Sequence, residues 1–489
     1  MINDLNKILN NSQEAFLSYQ FESGERKKYF LYTIADEIEA LGDILLKTAS
    51  EESNLPLARF VGERARTCNQ LRAFGDLVEE GSWVDAVINT TLPDRKPFSR
   101  PDMRKMAIPI GPIVVFGASN FPLAYSTAGG DTASALAAGC AVVVKGHPAH
   151  PKTSLMVAGA IKQAILKCNV HPSTFQHIEG ESFEIGKQLT LHPLTAGVGF
   201  TGSLVGGRAI FDYAQQRDVP IPVFSEMGST NPVIFLKDAL IQRAPEMAKA
   251  FAASITMGVG QFCTKPGILL GIKGSALNQF TNLLALEISL TSNYKMLHEG
   301  IHKNYCLGLD RIFFDKCVEI IYHAHAEGDI IASPVLTRVT GSNFLKNQEL
   351  GLELFGPFSM VVACDNKAQL IDIWKLLKGQ LSTTIMCTDH DLNEHSDLLK
   401  IARNIAGRIV FNSVPTGVEV CDATVHGGPY PATTDGRFTS VGMDAIKRWV
   451  RPICFQDCPE ALLPPELQNS NPMKIWRKVN GKLQQQALT

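Results

Sequence analysis

The chain has no excess of charge of either sign. Its 489 residues carry 46 basic and 48 acidic side chains. A protein that attracts nucleic acid or an anionic membrane through its net charge needs a basic surplus. We therefore expect no nucleic-acid partner and no membrane. The charge balance is more compatible with a small neutral or singly charged substrate.

Paired cysteine motifs are also missing. The eleven cysteines are scattered and none forms a Cys-x-x-Cys pair. An odd, dispersed set favours a reducing cytoplasm over a disulfide framework. Cys454 and Cys458 lie four apart, but no matching Cys/His pair completes a zinc site, so we expect no metal.

No stretch of the sequence has the pattern of a signal peptide or of a membrane-spanning helix. The N-terminus has no basic region followed by an apolar run, so we expect no signal peptide. The longest uncharged run, residues 107–130, is interrupted by prolines and glycines, which predicts buried strand and turn rather than a membrane span. These absences together predict a cytoplasmic protein.

What the chain does contain is an alternation of strands and helices. Residues 20–80 have the three- and four-residue spacing of helices, and residues 82–104 are extended and then proline-rich. From residue 107 short apolar runs alternate with helical segments, which predicts a doubly wound parallel sheet. The predicted strands are residues 113–116, 141–144, 196–200, 221–225, 232–236, 360–363 and 452–456, and the predicted helices are residues 124–138, 154–166, 244–256 and 277–290.

Polar residues follow several predicted strands, where a parallel sheet places its ligands. Asn120 is either an oxyanion donor or a cap of the next helix. Lys145 is either a ligand of ribose or phosphate or a lysine in solvent. Glu226 is either a general base with a raised pKa or a strand-end acid in solvent.

Two further stretches suggest chemistry. Thr201, Gly202 and Ser203 join a strand to a helix, and the free N–H groups at such a junction suit a diphosphate. Cys263 lies in the glycine-rich stretch 258–267, which has no acid and one base. This setting suits a thiolate at a backbone turn better than a cysteine that fills a core.

Taken in order, these stretches resemble the signature series of the NAD(P)-dependent aldehyde dehydrogenase superfamily, over nearly the whole chain. The matching motifs are residues 119–122 (Ser-Asn-Phe-Pro), 144–145 (Val-Lys), 200–203 (Phe-Thr-Gly-Ser), 226–228 (Glu-Met-Gly), 260–263 (Gly-Gln-Phe-Cys) and 353–357 (Glu-Leu-Phe-Gly-Pro). Residues 83–86, 92–95, 144–148, 426–435 and 451–454 resemble the branch of α-ketoglutaric semialdehyde (2,5-dioxopentanoate) dehydrogenases and NADP-linked long-chain aldehyde dehydrogenases.

The resemblance implies roles for the matching residues. Cys263 would attack the aldehyde, Asn120 and the Cys263 N–H would hold the oxyanion, and Glu226 would activate water to hydrolyse the thioester. The other implied contacts are to the cofactor: Lys145 to the adenine ribose, Thr201, Gly202 and Ser203 to the diphosphate, Glu353 to the nicotinamide ribose, and Phe355 to the nicotinamide end.

Two positions depart from the family pattern. The usual Glu-Leu-Gly-Gly is Glu226-Met227-Gly228-Ser229 here, which puts the local backbone packing in doubt but keeps the acid. Pro148 stands where many NAD-preferring relatives place an acid that repels a 2′-phosphate. We therefore expect NADP to be accepted, with a preference over NAD left open.

The function that the resemblance implies is oxidation of an aldehyde, foremost α-ketoglutaric semialdehyde, to the acid with NAD(P)+. A medium- or long-chain aliphatic aldehyde is the alternative substrate, and the sequence does not place Arg95, Arg437 or any other arginine in the substrate funnel. A catalytically silent nucleotide-binding protein is disfavoured by an intact Cys263, Glu226 and Asn120. A CoA-acylating enzyme is disfavoured because such relatives typically lack the hydrolytic glutamate.

The expected fold is α/β, with two Rossmann-type doubly wound domains and a small β oligomerisation extension. Residues 1–81, 105–225 and 423–450 would form the cofactor-binding domain and residues 226–422 the catalytic domain. Residues 82–104 and 451–489 would form the extension and tail, which implies a homodimer or homotetramer.

Overall fold

The computed structural model describes residues 2–324, 326–377 and 379–488. Its α-helices are α1 Ile2–Tyr19, α2 Gly24–Ala40, α3 Gly42–Ser53, α4 Leu57–Glu80, α5 Gly130–Ala138, α6 Pro151–Cys168, α7 Phe183–Leu191, α8 Leu204–Gln215, α9 Lys237–Thr256, α10 Ser275–Ser289, α11 Glu299–Phe314, α12 Gly341–Lys346, α13 Lys367–Leu376, α14 Asp389–Glu394 and α15 Leu398–Ala402. Its strands are β1 Val87–Asn89, β2 Met103–Pro109, β3 Ile113–Phe116, β4 Val142–Lys145, β5 Phe175–Ile178, β6 Gly197–Thr201, β7 Val223–Glu226, β8 Val233–Phe235, β9 Ile268–Ile272, β10 Tyr294–Lys295, β11 Glu319–His323, β12 Ile331–Ala332, β13 Val335–Thr340, β14 Phe358–Cys364, β15 Gln380–Met386, β16 Ala406–Phe411, β17 Val450–Gln456, β18 Arg477–Val479 and β19 Lys482–Gln484.

The first sheet is parallel, in the order β5-β4-β3-β6-β7. Both of its faces are buried, because alternate residues of one strand enter different cores. Ile113 and Val115 pack with residues of α2, α4, α5 and α6, whereas Val114 and Phe116 pack with residues of α1, α7 and α8. An uninterrupted apolar strand is therefore what this position requires.

The strand order of this sheet reverses between β3 and β6. The chain runs outward from β3 through β4 to β5 and then returns to place β6 on the other side of β3. In open α/β sheets a ligand binds at this reversal, beyond the carboxyl ends of the strands. The segments that follow β3, β4, β6 and β7 therefore surround the expected binding crevice.

The second sheet has the order β11-β13-β14-β9-β8-β15-β16. It is parallel except for the edge strand β11, which runs antiparallel to β13. Separate apolar cores cover its two faces, and α9 and α10 belong to one of them. The two parallel sheets with helices on both faces are the α/β architecture that the alternation predicts.

A third sheet of order β17-β2-β1-β18-β19 joins residues from three parts of the chain. Strand β2 spans the proposed boundary at 104/105, pairing with β1 on one side and β17 on the other. The hairpin of β18 and β19 was not expected from the sequence. The assignment of residues to domains stays a prediction, and Met1 and Thr489 lie outside the described residues.

One predicted helix is shorter than expected. The sequence pattern predicts a helix over residues 124–138, but α5 begins only at Gly130. The preceding segment is held in turns by the buried Glu63, whose Oε1 accepts the N–H groups of Leu123 and Ala124 at 2.8 and 3.1 Å. A carboxylate from α4 thus replaces the first turn of the helix, which local propensity does not reveal.

Candidate active site

Four predicted site segments lie at the carboxyl edge of the first sheet. Asn120 follows β3, Lys145 ends β4, Thr201 ends β6 and Glu226 ends β7. The strands are neighbours, and Thr201 is paired directly with Glu226. Parallel topology therefore gathers residues that are far apart in the sequence.

Cys263 is presented by a left-handed turn that follows α9. Gly258, Val259 and Gly260 have φ of +55°, +58° and +64°. A side chain at Gly260 would place its Cβ 2.3 Å from the carbonyl oxygen of Gly356, so this close approach requires glycine. Val259 holds a conformation that β-branched residues rarely adopt, and such strain typically marks a functional site.

Asn120 ties the loop after β3 to the cysteine turn. Its Nδ2 donates to the carbonyl of Gln261 at 3.1 Å, and its own carbonyl accepts from Arg59. The interpretation of Asn120 as a helix cap is wrong, because the residue that precedes α5 is Gly129. The amide remains a candidate oxyanion donor, with its second N–H free of this contact.

Glu226 and Cys263 meet at a residue to which the sequence assigned no role, His426. Its Nε2 lies 3.4 Å from Cys263 Sγ and 2.9 Å from Glu226 Oε1. Glu226 and His426 are both buried, and Ser440 donates its hydroxyl to the other carboxylate oxygen. A thiol, an imidazole and a carboxylate therefore share one small volume, the arrangement of an activated cysteine nucleophile.

The pKa of Glu226 differs in direction from the raised value that one interpretation expected. Burial raises the pKa of this carboxyl, but His426 and the hydroxyl of Ser440 outweigh that effect, and the net pKa is lowered. The alternative of an acid in solvent is also wrong, since Glu226 is 3% exposed. The sequence around Glu226 shows few neutralising charges because its partner is supplied from residue 426.

The pKa of Cys263 is raised well above its usual range, first by burial and then by the charge of Glu226. The resting side chain is therefore a thiol, whereas the sequence had suggested a thiolate. Nucleophilic attack by Cys263 consequently requires a base in contact with the sulfur.

The residues expected to bind the cofactor lie along the same carboxyl edge of the first sheet. Lys145 is half-buried and burial lowers its pKa, so it is not an ordinary surface lysine. Ser203 is the N-cap of α8, its Oγ accepting the N–H of Gly206 at 3.1 Å. Gly202 donates its N–H to the carbonyl of Glu226 at 3.0 Å, which fixes this junction next to β7.

Glu353 reaches the site from the second sheet's side of the crevice. A Cβ added at Gly228 would lie 2.3 Å from Glu353 Oε2, so the carboxylate rests against the backbone after Glu226. Burial raises the pKa of Glu353, and Lys265 partly offsets the rise. Phe355 is half-buried two residues further on.

These features fit a dinucleotide. The N-terminus of α8 offers backbone donors and a positive dipole end to a diphosphate. Lys145 on one side and the Glu353 carboxylate on the other could bind ribose hydroxyls, and Gly202 and Gly228 keep the backbone free of side chains between them.

The same cluster has the donor types of a metal site. Cys263 Sγ, His426 Nε2 and a carboxylate oxygen of Glu226 all lie within 4.8 Å of one another. A thiolate, an imidazole and a carboxylate are ligands that Zn²⁺ accepts. The expectation that the protein uses no metal stays a prediction.

The departure at Ser229 is accommodated by polar contacts. Ser229 Oγ lies 2.8 Å from Gln380 Oε1 and accepts the N–H of Leu381 at 3.0 Å. Met227 is buried and its N–H donates to the carbonyl of Ala432 at 2.8 Å. The turn after Glu226 is thus fastened to β15 and to the segment that carries His426, which resolves the doubt about its packing.

Sequence comparison matches residues 2–299 to the model of the aldehyde dehydrogenase family. The chain is 45% identical to an α-ketoglutaric semialdehyde dehydrogenase of Acinetobacter baylyi, over 99% of this chain and 92% of that protein. It is 43% identical to α-ketoglutaric semialdehyde dehydrogenase 2 of Azospirillum brasilense, over 98% of this chain and 91% of that protein.

Solved structures show the same fold at lower identity. An NADP-dependent glyceraldehyde-3-phosphate dehydrogenase of Bacillus halodurans, complexed with NADP, superposes with a TM-score of 0.79 at 18% identity over 93% of this chain and 91% of that one. A betaine aldehyde dehydrogenase of Staphylococcus aureus gives 0.80 at 17% identity, over 94% and 89%. Among the described helices, none has both the length and the apolar composition that a membrane crossing requires.

Proposed function

Because the chain belongs to the aldehyde dehydrogenase family and is an NAD(P)-dependent oxidoreductase acting on aldehydes, we propose that it oxidises α-ketoglutaric semialdehyde to the acid. The observation that carries the chemistry is the contact of Cys263, His426 and Glu226 at the carboxyl edge of the first sheet. The choice of aldehyde is supported by the two relatives with 45% and 43% identity over nearly the full chain.

The first step that we propose is removal of the thiol proton. His426 Nε2 is in contact with Cys263 Sγ and can accept this proton. The resulting imidazolium has its Nε2 2.9 Å from Glu226 Oε1, so the carboxylate stabilises its charge. The thiolate then attacks the aldehyde carbon, and Asn120 Nδ2 with the Cys263 N–H stabilises the oxyanion.

A dinucleotide held by Lys145, Glu353 and the N-terminus of α8 would supply the hydride acceptor for oxidation of this adduct, which leaves a thioester on Cys263. Glu226 then takes a proton from the water that hydrolyses this thioester. Its lowered pKa keeps it ionised for this task at neutral pH, since a carboxylic acid cannot accept the proton. Glu226 therefore has two successive duties, stabilising His426 and then activating water.

An aldehyde panel tests the substrate. The panel contains α-ketoglutaric semialdehyde, succinic semialdehyde and straight-chain aldehydes of increasing length, and kcat/KM is measured for each. We expect the highest value for α-ketoglutaric semialdehyde. A kcat/KM that rises with alkyl length, with no activity on the oxo-acid, would refute the proposal in favour of an aliphatic aldehyde dehydrogenase.

One structural observation favours that alternative. Phe121 lies 5.3 Å from Phe262 and 5.2 Å from Tyr125 between ring centroids, so aromatic side chains flank Asn120 and Cys263. Such rings also suit the carbon chain of a neutral aldehyde. The same panel separates the two substrates.

We further propose that NADP+ is accepted, with its preference over NAD+ to be measured on the same panel. Pro148 offers no carboxylate against a 2′-phosphate, and His147 stacks on His150 at 5.5 Å beside Lys145. An acid does come near from another loop, because burial lowers the pKa of Lys145 and the charge of Glu181 partly offsets this fall. A kcat/KM with NAD+ far above that with NADP+ would contradict the proposal.

The remaining proposals concern assembly. We propose that the first sheet, with residues 1–81 and 423–450, binds the cofactor, that residues 226–422 form the catalytic domain, and that residues 82–104 and 451–489 mediate a homodimer or homotetramer. Exposed apolar residues of the third sheet's segment, Leu483 and Trp476, support the last point. The eleven unpaired cysteines support a cytoplasmic location. Light scattering that finds a monomer at micromolar concentration would contradict the assembly.

A further inference from the structure

We infer that Arg66 and Arg408 form an anion subsite next to Cys263 that binds the carboxylate of a short oxo-acid aldehyde. This inference rests on the proposed function and assigns the part of the substrate that lies away from the reacting carbon. The arginines considered from sequence do not occupy this place. Arg437 is highly exposed and pairs with Asp435, and Arg95 donates to carbonyls of its own surface loop.

Arg66 reaches the site from α4. The residues Arg59, Glu63 and Arg66 share one face of this helix, because they follow three- and four-residue steps. Arg59 donates to Asn120 and Glu63 accepts from the next turn of the loop, so this face lies along residues 120–125. Arg66 continues the row, donating from Nη2 to the Tyr125 hydroxyl at 3.2 Å.

Tyr125 connects this guanidinium to the catalytic cluster. Its ring lies 6.3 Å from the ring of His426, which touches Cys263. Burial raises the pKa of Tyr125 well above its usual range, so its hydroxyl keeps its proton. Since the oxygen accepts from Arg66, that proton is available to a second acceptor such as a carboxylate or keto oxygen.

Arg408 comes from β16 and reaches the same loop as Arg66. Its Nη1 donates to the carbonyl of Gly417 at 2.8 Å, and Arg66 Nη1 donates to the carbonyl of Val418 at 2.9 Å. The two guanidinium groups therefore hold adjacent residues of one loop. Val418 and Arg408 also line a cleft of about 310 Å³ together with Glu419, Cys421 and Thr424.

The charges of both arginines act on the catalytic sulfur. Burial raises the pKa of the Cys263 thiol and the Arg66 charge partly offsets this rise, whereas burial lowers the pKa of Arg408 and the charge of a Cys263 thiolate partly offsets that fall. Neither guanidinium forms an ion pair with an acid in the described part of the chain, whereas the nearby Arg59 pairs with Glu63 at 3.5 Å.

Each of these two arginines also has an unsatisfied donor. The Nε atoms of Arg66 and Arg408 are buried and have no hydrogen-bond partner among the described residues. Both side chains are half-buried, and a guanidinium that is partly removed from water without a counter-ion is stabilised when a ligand supplies one. A carboxylate, which binds two guanidinium N–H groups at once, is the ligand of matching shape and charge.

The test compares an anionic with a neutral aldehyde of the same length in matched variants. Arg66→Gln and Arg408→Gln are assayed on α-ketoglutaric semialdehyde and on pentanal, with Arg437→Gln as the control. Losing a charge-assisted contact should reduce kcat/KM for the semialdehyde by about 10- to 100-fold, mainly through KM. Pentanal oxidation should fall far less, by only the loss that removing a positive charge near the Cys263 thiol causes with either substrate, and Arg66→Lys and Arg408→Lys should recover part of the semialdehyde loss.

Equal losses on both substrates, or an unchanged semialdehyde KM in both Gln variants, would overturn the subsite while leaving the proposed function intact. If the Gln variants do not fold, inhibition of the wild-type protein tests the subsite instead. 2-Oxopentanoate should inhibit pentanal oxidation competitively and more strongly than 2-pentanone. Equal inhibition by the two compounds overturns the subsite. If the wild type oxidises no aldehyde, the proposed function fails, and protection of Cys263 from alkylation by 2-oxopentanoate still tests the subsite.

Discussion

Replacing His426 with glutamine should remove the base that activates Cys263. Glutamine keeps a polar side chain of similar length but cannot accept the thiol proton. The pKa of Cys263 is raised, so its thiolate is scarce at neutral pH and becomes abundant only as the pH rises. Without His426, formation of the Cys263 thiolate depends on the increase in pH alone.

The geometry sets the size of the effect. An imidazolium and a carboxylate 2.9 Å apart attract each other by on the order of 6 kcal/mol at an effective dielectric constant of about 20. This attraction opposes the cost of burying an imidazolium beside Cys263. Loss of a general base at such a site typically costs about 10²- to 10⁴-fold in rate.

Two assays check this prediction. The first is kcat/KM against pH with a saturating cofactor, where the variant should lose most at neutral pH and recover toward alkaline pH. The second is alkylation of Cys263 by iodoacetamide, followed by mass spectrometry of its peptide because Cys317, Cys421 and Cys454 are exposed and will also react. Alkylation should slow at neutral pH in parallel with turnover.

A matched control exists elsewhere in the chain. His302 Nε2 lies 3.6 Å from Cys306 Sγ, a similar contact on α11 that has no proposed role in the reaction. The variant His302→Gln should keep full activity and an unchanged alkylation profile for Cys263. If His426→Gln alkylates and turns over as fast as the wild type at neutral pH, the role of His426 as base is refuted.

Three more predictions concern the same cluster. Because Glu226 also stabilises His426, Glu226→Gln should form the first equivalent of reduced cofactor per subunit more slowly than the wild type and should then hydrolyse the thioester about 10²- to 10⁴-fold more slowly, so that little turnover follows; unchanged steady-state turnover would contradict the role of Glu226. Asn120→Ala should lower kcat by about 10²- to 10³-fold with a smaller change in cofactor affinity, and comparable losses in both would indicate a structural role instead. Added Zn²⁺ should inhibit through Cys263, His426 and Glu226, and a chelator should restore activity; inhibition of equal strength in His426→Gln would place the ion elsewhere.

The sequence by itself determined the residues that depend on local pattern and chain order. Asn120, Lys145 and Glu226 follow short apolar strands, and the carboxyl ends of parallel strands must share an edge of the sheet. Cys263 was distinguished by a glycine-rich stretch, and the glycines are required by left-handed φ values and a close backbone approach. Such features are set within a few residues, so the linear sequence contains them.

Only the tertiary structure decided which side chains meet and in which ionisation state. His426 reaches Cys263 and Glu226 from a segment far along the chain, and Arg66 and Arg408 come from a helix and a strand of different layers. A pKa depends on burial and on charges through space, which is why the net pKa of Glu226 is lowered where one interpretation expected a raised value, and why the pKa of Cys263 is raised. Sequence spacing does not determine those distances, whereas the packing of α4 against the loop after β3 and of β16 against residues 415–417 does.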